Sequence, residues 1–265
     1  MNRLLLAPLL VLLLSSCKKN DPVPVVYPDG EVRLQRIKDK DGRVSGAFEY
    51  APDGKLVSMK NYLLGRATPD ETTYFYDGQG RLERVETSTR GHLSCLTCDG
   101  PALKFTQIIE YNATGHVSQT LHRQENGTIT ARWNHEYDGS GRLARRTSTT
   151  SSGAKGNSVV YTYDARGNIT QVETTAADGR LTNRERYEYD DRPNPFRRVF
   201  LGIHAAYCRS PNNVVRQKFE FLGTAATPAT PPGDWGELRY TYDAKTGYPI
   251  RMEESNGVVS VYEYR

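Results

Sequence analysis

The sequence predicts an all-β protein: an antiparallel meander of repeated β-hairpins whose sheet curls into a closed or open barrel, a shell or a two-layer arrangement. Three observations predict it. Tyrosine is in excess, 17 among 265 residues, beside 23 glycines and 14 prolines, and aromatic residues mixed with turn formers favour strands and hairpins. A unit with aromatics at alternate positions recurs along the chain. In most units a glycine stands four residues beyond the second aromatic.

Composition sets the outer limits. A hydrophobic content of 37% still allows a packed core in a chain of this length. The balance of 35 Lys+Arg against 31 Asp+Glu, a net +4, is too slight for the electrostatic footprint of a nucleic-acid binder. Mean hydropathy is −0.65, and no stretch beyond the N-terminal run offers the roughly 18 apolar residues that a spanning helix needs.

Taken in order, the chain opens with Arg3 and an apolar run from Leu4 to Leu14, then Ser15, Ser16 and Cys17. A basic start, a short apolar stretch and small residues form a secretory signal over 1–16, too short to span a bilayer. Residues 17–29 carry Lys18 and Lys19, then Pro22, Pro24 and Pro28, with no hydrophobic period. Prolines at that density predict an extended, semi-rigid tether. The repeat domain is residues 30–265.

Within it the unit reads Phe48-Glu49-Tyr50, Tyr74-Phe75-Tyr76-Asp77, Ile109-Glu110-Tyr111-Asn112, His135-Glu136-Tyr137-Asp138, Tyr161-Thr162-Tyr163-Asp164, Tyr187-Glu188-Tyr189-Asp190, Tyr240-Thr241-Tyr242-Asp243 and Tyr262-Glu263-Tyr264. The second aromatics lie 26, 35, 26, 26, 26, 53 and 22 residues apart. Beyond them come Gly54, Gly80, Gly115, Gly141 and Gly167, each followed two residues later by Leu56, Leu82, Val117, Leu143 or Ile169. An Asp or Asn heading a turn accepts a hydrogen bond from the backbone two residues on, and glycine supplies the positive φ that closes it. Each unit is therefore a strand, a tight turn and a returning strand. Asp41-Gly42, Asn126-Gly127, Gly153 to Asn157, Asp178-Gly179 and Asn256-Gly257 turn the chain back into the next unit.

Alternation assigns the faces. The paired aromatics project on one side, and the residue between them is Glu49, Glu110, Glu136, Glu188, Glu263, Thr162 or Thr241, with Phe75 the exception. One face is dry and the other wet. No helical stripe is long enough to cover the dry face, so the sheet must curl over itself. Between Asp190 and Gly236 the repeat lapses into an irregular insert of about 191–236. Pro193 stands where a turn glycine belongs, Phe219-Glu220-Phe221 looks like a divergent strand, and Thr224 to Pro232 is rich in Pro, Ala and Thr. The expectation there is a decayed repeat with a surface loop.

Two resemblances add to this. Leu14-Ser15-Ser16-Cys17 resembles the lipobox of bacterial lipoproteins, which implies cleavage before Cys17, a diacylglycerol on its thiol and a further palmitoyl-type chain on its amino group. Buried methylenes contribute about 0.8 kcal/mol each, so three acyl chains imply a permanent membrane anchor. In the lipoproteins it resembles, an Asp after the Cys favours inner-membrane retention, so Lys18 implies the outer membrane. The hairpin units resemble the YD repeats of bacterial RHS and teneurin-type proteins, whose Tyr-x-Tyr-Asp-x-x-Gly-Arg-Leu is matched at Tyr74 to Leu82 and nearly at His135 to Leu143. Those repeats wind a hairpin ribbon into a hollow shell that can enclose a toxin. The period of 26 is longer than theirs, and the closer likeness is to the YD-repeat-like lipoproteins of Bacteroidetes, a family of unknown function. These also carry an Asn-Pro-Phe after one unit, here Asn194-Pro195-Phe196.

Candidate chemistry is sparse. Besides Cys17 there are Cys95, Cys98 and Cys208, and an oxidising envelope predicts one disulfide among them. His92 with Cys95, Cys98 and Cys208 forms a weaker, alternative zinc set. No His pair has metalloprotease spacing, and neither a G-x-S-x-G elbow nor a phosphate loop is present. No metal or cofactor is therefore assigned. His135 fills an aromatic slot and is expected to pack. The expectation is a non-catalytic envelope scaffold for binding or structural work, with a toxin-type container and a hydrolase as alternatives. Its partners would be the membrane, through Cys17, and envelope glycans or another envelope protein, with no nucleic acid. The candidate ligand-binding aromatics are Phe75, Trp133 and Trp235, which break the inward pattern.

Overall fold

The structure, a computed structural model, describes residues 32–62, 68–90, 102–197, 205–223, 229 and 233–265. The first half contains β1 (Leu34–Lys38), β2 (Val44–Tyr50), β3 (Leu56–Asn61), β4 (Asp70–Tyr76), β5 (Leu82–Arg90), β6 (Ala102–Tyr111), β7 (Val117–Gln124) and β8 (Ile129–Tyr137). There follow β9 (Leu143–Thr150), β10 (Lys155–Tyr163), β11 (Ile169–Thr175) and β12 (Leu181–Pro193). A short helix α1 (Ala205–Arg209) precedes β13 (Asn212–Phe221), β14 (Gly236–Tyr242), β15 (Pro249–Glu254) and β16 (Val259–Tyr264). Each strand pairs antiparallel with its chain neighbours, and β1 pairs with β16, so the meander closes into a barrel. Closure leaves no strand edge for another chain to extend. At the join Leu34 opposes Tyr264 and Ile37 opposes Tyr262, and Arg33 and Arg265 exchange backbone hydrogen bonds of 3.1 and 3.0 Å.

The hairpin turns form as the sequence predicts. At the head of one, the Asp77 carboxylate accepts from the N–H groups of Gln79 and Arg81 at 2.9 and 2.8 Å, and Gly80 closes the turn at φ 78°. The same residues at Asp138 and Gly141 make the same bonds. A register shift follows every such turn, between Phe75 and Tyr76 in one unit and between Thr162 and Tyr163 in another. A bulge at this place increases strand twist, which a closing sheet requires.

The inward face is the core. Phe48, Tyr74, Ile109, Tyr161, Tyr187 and Tyr262, the first members of their aromatic pairs, are buried, with Leu34, Leu56, Leu143, Ile169, Val214 and Leu238 beside them. The second members lie at the barrel rim and are joined in a regular way. Except for Tyr242, the hydroxyl of each donates to the backbone carbonyl at the start of the preceding strand: Tyr50 to Leu34, Tyr76 to Leu56, Tyr111 to Leu82, Tyr137 to Val117, Tyr163 to Leu143, Tyr189 to Ile169 and Tyr264 to Pro249, at 2.5–3.0 Å. This explains the Arg of the repeated Gly-Arg-Leu. Arg81 bonds the Asp77 carboxylate through Nε at 2.8 Å and lays its guanidinium 4.5 Å from the next unit's Tyr111 ring. Arg142 does the same with Asp138 and Tyr163, at 2.8 and 4.7 Å, and His116 stacks on Tyr137 with centroids 4.6 Å apart. Neighbouring units are thus tied by a hydrogen bond, and at Tyr111 and Tyr163 by a cation–π contact as well.

The outward face is polar. Glu49, Glu110, Glu136, Glu188, Thr162 and Thr241 are exposed, and cross-strand ion pairs such as Lys60 with Glu49 and Glu71, at 3.8 and 3.9 Å, and Arg216 with Glu188, at 3.0 Å, run over the wall. A membrane-spanning barrel presents an outward apolar band; this wall carries charges instead.

Replacing Tyr163 by Phe leaves the Leu143 carbonyl without its donor and should lower the unfolding free energy in urea by about 1–2 kcal/mol. Thr162→Ala, one residue away on the wet face, should stay within about 0.5 kcal/mol; equal losses would refute the assignment of faces. The N–H of Arg81 is the main cause holding the Asp77 carboxyl below its usual range; desolvation opposes it and the Arg81 guanidinium assists. A group with a depressed folded value stabilises above its unfolded value and loses that contribution as pH falls. Acid titration of stability should therefore show a loss through the carboxylate range, reduced in Asp77→Asn.

Candidate functional site

The irregular insert does not lie wholly on the surface. Asn194 is buried and its side-chain amide donates to the carbonyls of Tyr207 and Ser210 at 2.6 and 2.9 Å, while its own carbonyl oxygen accepts from the N–H of Phe196 at 2.9 Å. The Asn-Pro-Phe triplet thereby fastens the C-terminal half of α1. Ser210, 0% exposed, accepts from the N–H of Ile169 at 3.1 Å and donates to the Tyr189 hydroxyl at 3.0 Å. Ala206 is buried in the core. Phe196 meets Tyr262 edge-on at 6.0 Å, and Tyr207 meets Tyr187 in the same way at 6.2 Å. Cys208 is within electrostatic reach of Tyr74, and Arg209 of His135, Tyr137 and Tyr163. Neighbours from β4, β8, β10, β12 and β16 place this segment inside the barrel as a plug. The expected surface loop is corrected for these residues: Asn194, Ala206 and Ser210 are small or internally bonded, and the lumen of a barrel of many short strands needs filling.

The insert also opens the wall. β13 pairs with β12 at eight positions but with β14 at only two, Arg216 with Glu237 and Gln217 with Gly236. Beside this seam lies a cavity of about 500 Å³ lined by Glu185, Tyr187, Tyr207, Gln217, Lys218, Phe219, Asp234 and Gly236. Phe219 shares the inward parity of Gln217 yet is 55% exposed, because no residue of β14 faces it across the seam. The Tyr207 hydroxyl donates to the Gln217 side-chain carbonyl at 2.6 Å, and the Tyr187 hydroxyl to the Glu185 carboxylate. Burial raises both phenols above their ordinary value, with Glu185 adding to the shift at Tyr187 and Glu254 and Glu185 at Tyr207. Both therefore stay protonated donors at any physiological pH. An exposed aromatic face, an amide and a carboxylate converge in one pocket, which is the composition of a ligand site.

A second, larger groove of about 590 Å³ crosses β4 to β7, lined among others by Glu71, Glu86, Lys104, Phe105, Arg123 and Glu125. Lys104 pairs with Glu125 there at 3.5 Å, Glu71 with Lys60 and Glu86 with Arg84 beside it, and it lies on unbroken wall.

The aromatics singled out from sequence are dispersed. Trp133 packs against the core under Arg146, its ring 4.9 Å from the guanidinium; it sits two residues before His135 and so shares the inward parity. Phe75 is on the outer face beneath Arg84, at 3.9 Å. Trp235 stands at the seam beneath Arg216, at 4.8 Å, and is the one that borders the pocket. Cys208 is half-buried on α1, whereas Cys17, His92, Cys95 and Cys98 lie outside the described residues. No cluster of metal-ligating side chains occurs among the described residues. His135 packs inward as expected, its Nε2 3.1 Å from the Thr120 hydroxyl. The pocket residues Glu185, Tyr207, Gln217 and Phe219 escaped the sequence. The available signal was Phe219-Glu220-Phe221, an aromatic strand followed by a proline-rich stretch where its partner should begin.

No family model and no curated relative matches the chain. Among solved structures it is similar to a porin-like protein from Bacteroides uniformis ATCC 8492, at 12% identity over 78% of this chain and 96% of that one, with a TM-score of 0.44. It is also similar to TcdB2-TccC3, at 10% identity over 86% of this chain and a TM-score of 0.28. This chain covers only 16% of the length of that second protein. What the pocket can do is therefore argued from its own side chains.

Asn194→Ala removes the donor of two buried carbonyls and should destabilise the protein by about 1–3 kcal/mol. Near-ultraviolet circular dichroism of the variant should show the plug tyrosines loosened; an unchanged spectrum and unchanged stability would refute the plug.

Proposed function

We propose that the protein is a lipid-anchored, non-catalytic scaffold of the cell envelope, of the YD-repeat-like lipoprotein type, whose seam pocket binds saccharide. The observation that carries this is the gap between β13 and β14, where Phe219 is left 55% exposed beside Tyr187, Tyr207, Glu185 and Gln217. A sugar ring presents apolar C–H faces and hydroxyl edges. An exposed phenyl face takes the first, and an amide with a carboxylate takes the second. Trp235 lies beneath Arg216, next in sequence to the lining residues Asp234 and Gly236.

Anchoring rests on Leu14-Ser15-Ser16-Cys17, and an outer-membrane address on Lys18. The charged outer wall suits a domain standing in water on a tether of residues 17–29. Glu185 is engaged by the Tyr187 hydroxyl, which supports binding over hydrolysis. The container alternative is weakened by the plug, because the chain's own residues occupy the space that a cargo would need.

Two experiments test the proposal. Cells grown with a clickable palmitate analogue should label the wild-type chain and not Cys17→Ala; label on both would remove the anchor. In a polysaccharide pull-down with the soluble Cys17→Ser protein, Phe219→Ser and Gln217→Ala should reduce retention about tenfold or more, the scale of one lost anchor in a binding site. Phe219→Ser should leave stability unchanged, since its ring is largely solvated. Retention on no glycan would overturn the saccharide assignment.

A further inference from the structure

Away from the seam, the lumenal side of β7 to β10 gathers cations and no acid. Arg146 of β9 projects inward opposite His135 of β8 and Val159 of β10. Its guanidinium lies 4.9 Å from the Trp133 ring and 5.9 Å from the Tyr161 ring. Its Nε is buried without an acceptor, and so is Nδ1 of His135. Among the described residues no carboxylate pairs with Arg146. His122 of β7 lies on the same inward face, within electrostatic reach of Arg146. Arg209, on the plug, is within electrostatic reach of His135 and is exposed to solvent.

Arg146 is half-buried with its Nε inside, and a buried polar atom without a partner is costly. The wall offers no carboxylate to satisfy this cluster, whereas an anion entering along the plug would. Aromatic rings on either side of the guanidinium hold it fixed and partly desolvated, which strengthens a charge-assisted bond to an incoming group.

We infer that Arg146, His135 and His122, with Arg209 at the entrance, form a lumenal binding site for a small oxyanion, a carboxylate or a sulfate group. The site is separate from the seam pocket and stands or falls independently of it. Desolvation, with Arg146 and Arg209 adding, pushes His135 down to about 3, and desolvation followed by Arg146 lowers His122. The His135 imidazole is therefore neutral in the empty site. An anion between Arg146 and His135 would reverse the charge felt by the ring and raise its value, so occupancy and protonation are linked. The groups facing His135 are Thr120, Arg146 and Arg209. None of them is a carboxylate.

The test is nuclear magnetic resonance of the histidine ring C–H signals in the soluble Cys17→Ser protein. Sodium glucuronate and, separately, sodium sulfate are titrated against sodium chloride at constant ionic strength. The expected result is a saturable shift of the His135 signal, tighter near about pH 6 than near about pH 8 because an imidazolium is the better partner. The sulfate and glucuronate arms separate inorganic anions from acidic sugars. Arg146→Gln should weaken binding about tenfold or more, the loss of one charge-assisted hydrogen bond. Arg146→Lys should retain saturable binding, and Arg145→Gln, its outward neighbour, should not change it. Arg146→Gln should also fold, because it removes an uncompensated charge; should it not, the wild-type titration and the Lys variant still decide. A shift that never saturates, or that is the same in Arg146→Gln, would overturn the site.

Discussion

Everything in this barrel depends on how each rim tyrosine reaches back across one strand. Seven phenol hydroxyls donate to the carbonyls that begin the preceding strands, and a guanidinium, ammonium or imidazole covers the ring in several of them. The contact demands a phenol rather than a phenyl ring at the second aromatic position, and a side chain long enough to lie over that ring two residues before the bulge. It also fixes how far each hairpin is displaced from the last. A uniform displacement accumulates as twist and curvature, and a sheet that curves steadily enough meets its own first strand. Barrel closure is the sum of local geometry that the repeat imposes.

Where that contact is broken, the wall changes character. Tyr242 finds no strand-opening carbonyl behind it, because β13 begins late, after the insert; its hydroxyl turns to the carboxylate of Asp190 instead. Asp190, in place of heading a hairpin turn, also accepts from the N–H and side-chain amide of Asn213 at 3.0 and 3.1 Å. The displaced chain folds into the lumen as the plug, and the next strand rejoins the sheet at two positions only. The plug and the seam are therefore two results of one interruption, and the seam pocket exists because the repeat lapses. The lumenal arginine cluster belongs to the regular half of the barrel, but Arg209 of the plug is what brings a second cation to it.

Most of the regular architecture was legible in the sequence, for physical reasons that can be named. Tyr161-Thr162-Tyr163-Asp164 followed by Gly167 encodes strand parity, a turn head and a positive φ within a few adjacent residues, and local information of this kind survives into the fold. Closure was not legible as such, since Leu34 and Tyr264 are at opposite ends of the domain and nothing in either names the other. The plug was missed because Ala205–Arg209 is too short to show a helical period, and its burial depends on Asn194 bonding the carbonyls of Tyr207 and Ser210 and on Ser210 bonding the N–H of Ile169 on β11. Trp133 was misplaced by treating it as an outlier, although its spacing from His135 and Tyr137 already assigned it to the core face. Phe219 was noted only as a divergent aromatic. Its exposure follows from an absent cross-strand neighbour, which no residue spacing encodes.

The most direct measurement of the central claim is spectrophotometric titration of the tyrosine phenols with base. Burial is the main cause raising Tyr111 and Tyr163 to about 12, and it raises Tyr74, Tyr189, Tyr240 and Tyr262 as well. The account predicts that phenolate absorbance from most of the rings appears late, in one cooperative step that coincides with loss of the β-sheet circular dichroism signal. A smooth, reversible titration of nearly all the rings near the ordinary value of about 10, with the sheet still intact, would show them in water and contradict the inward tyrosine face.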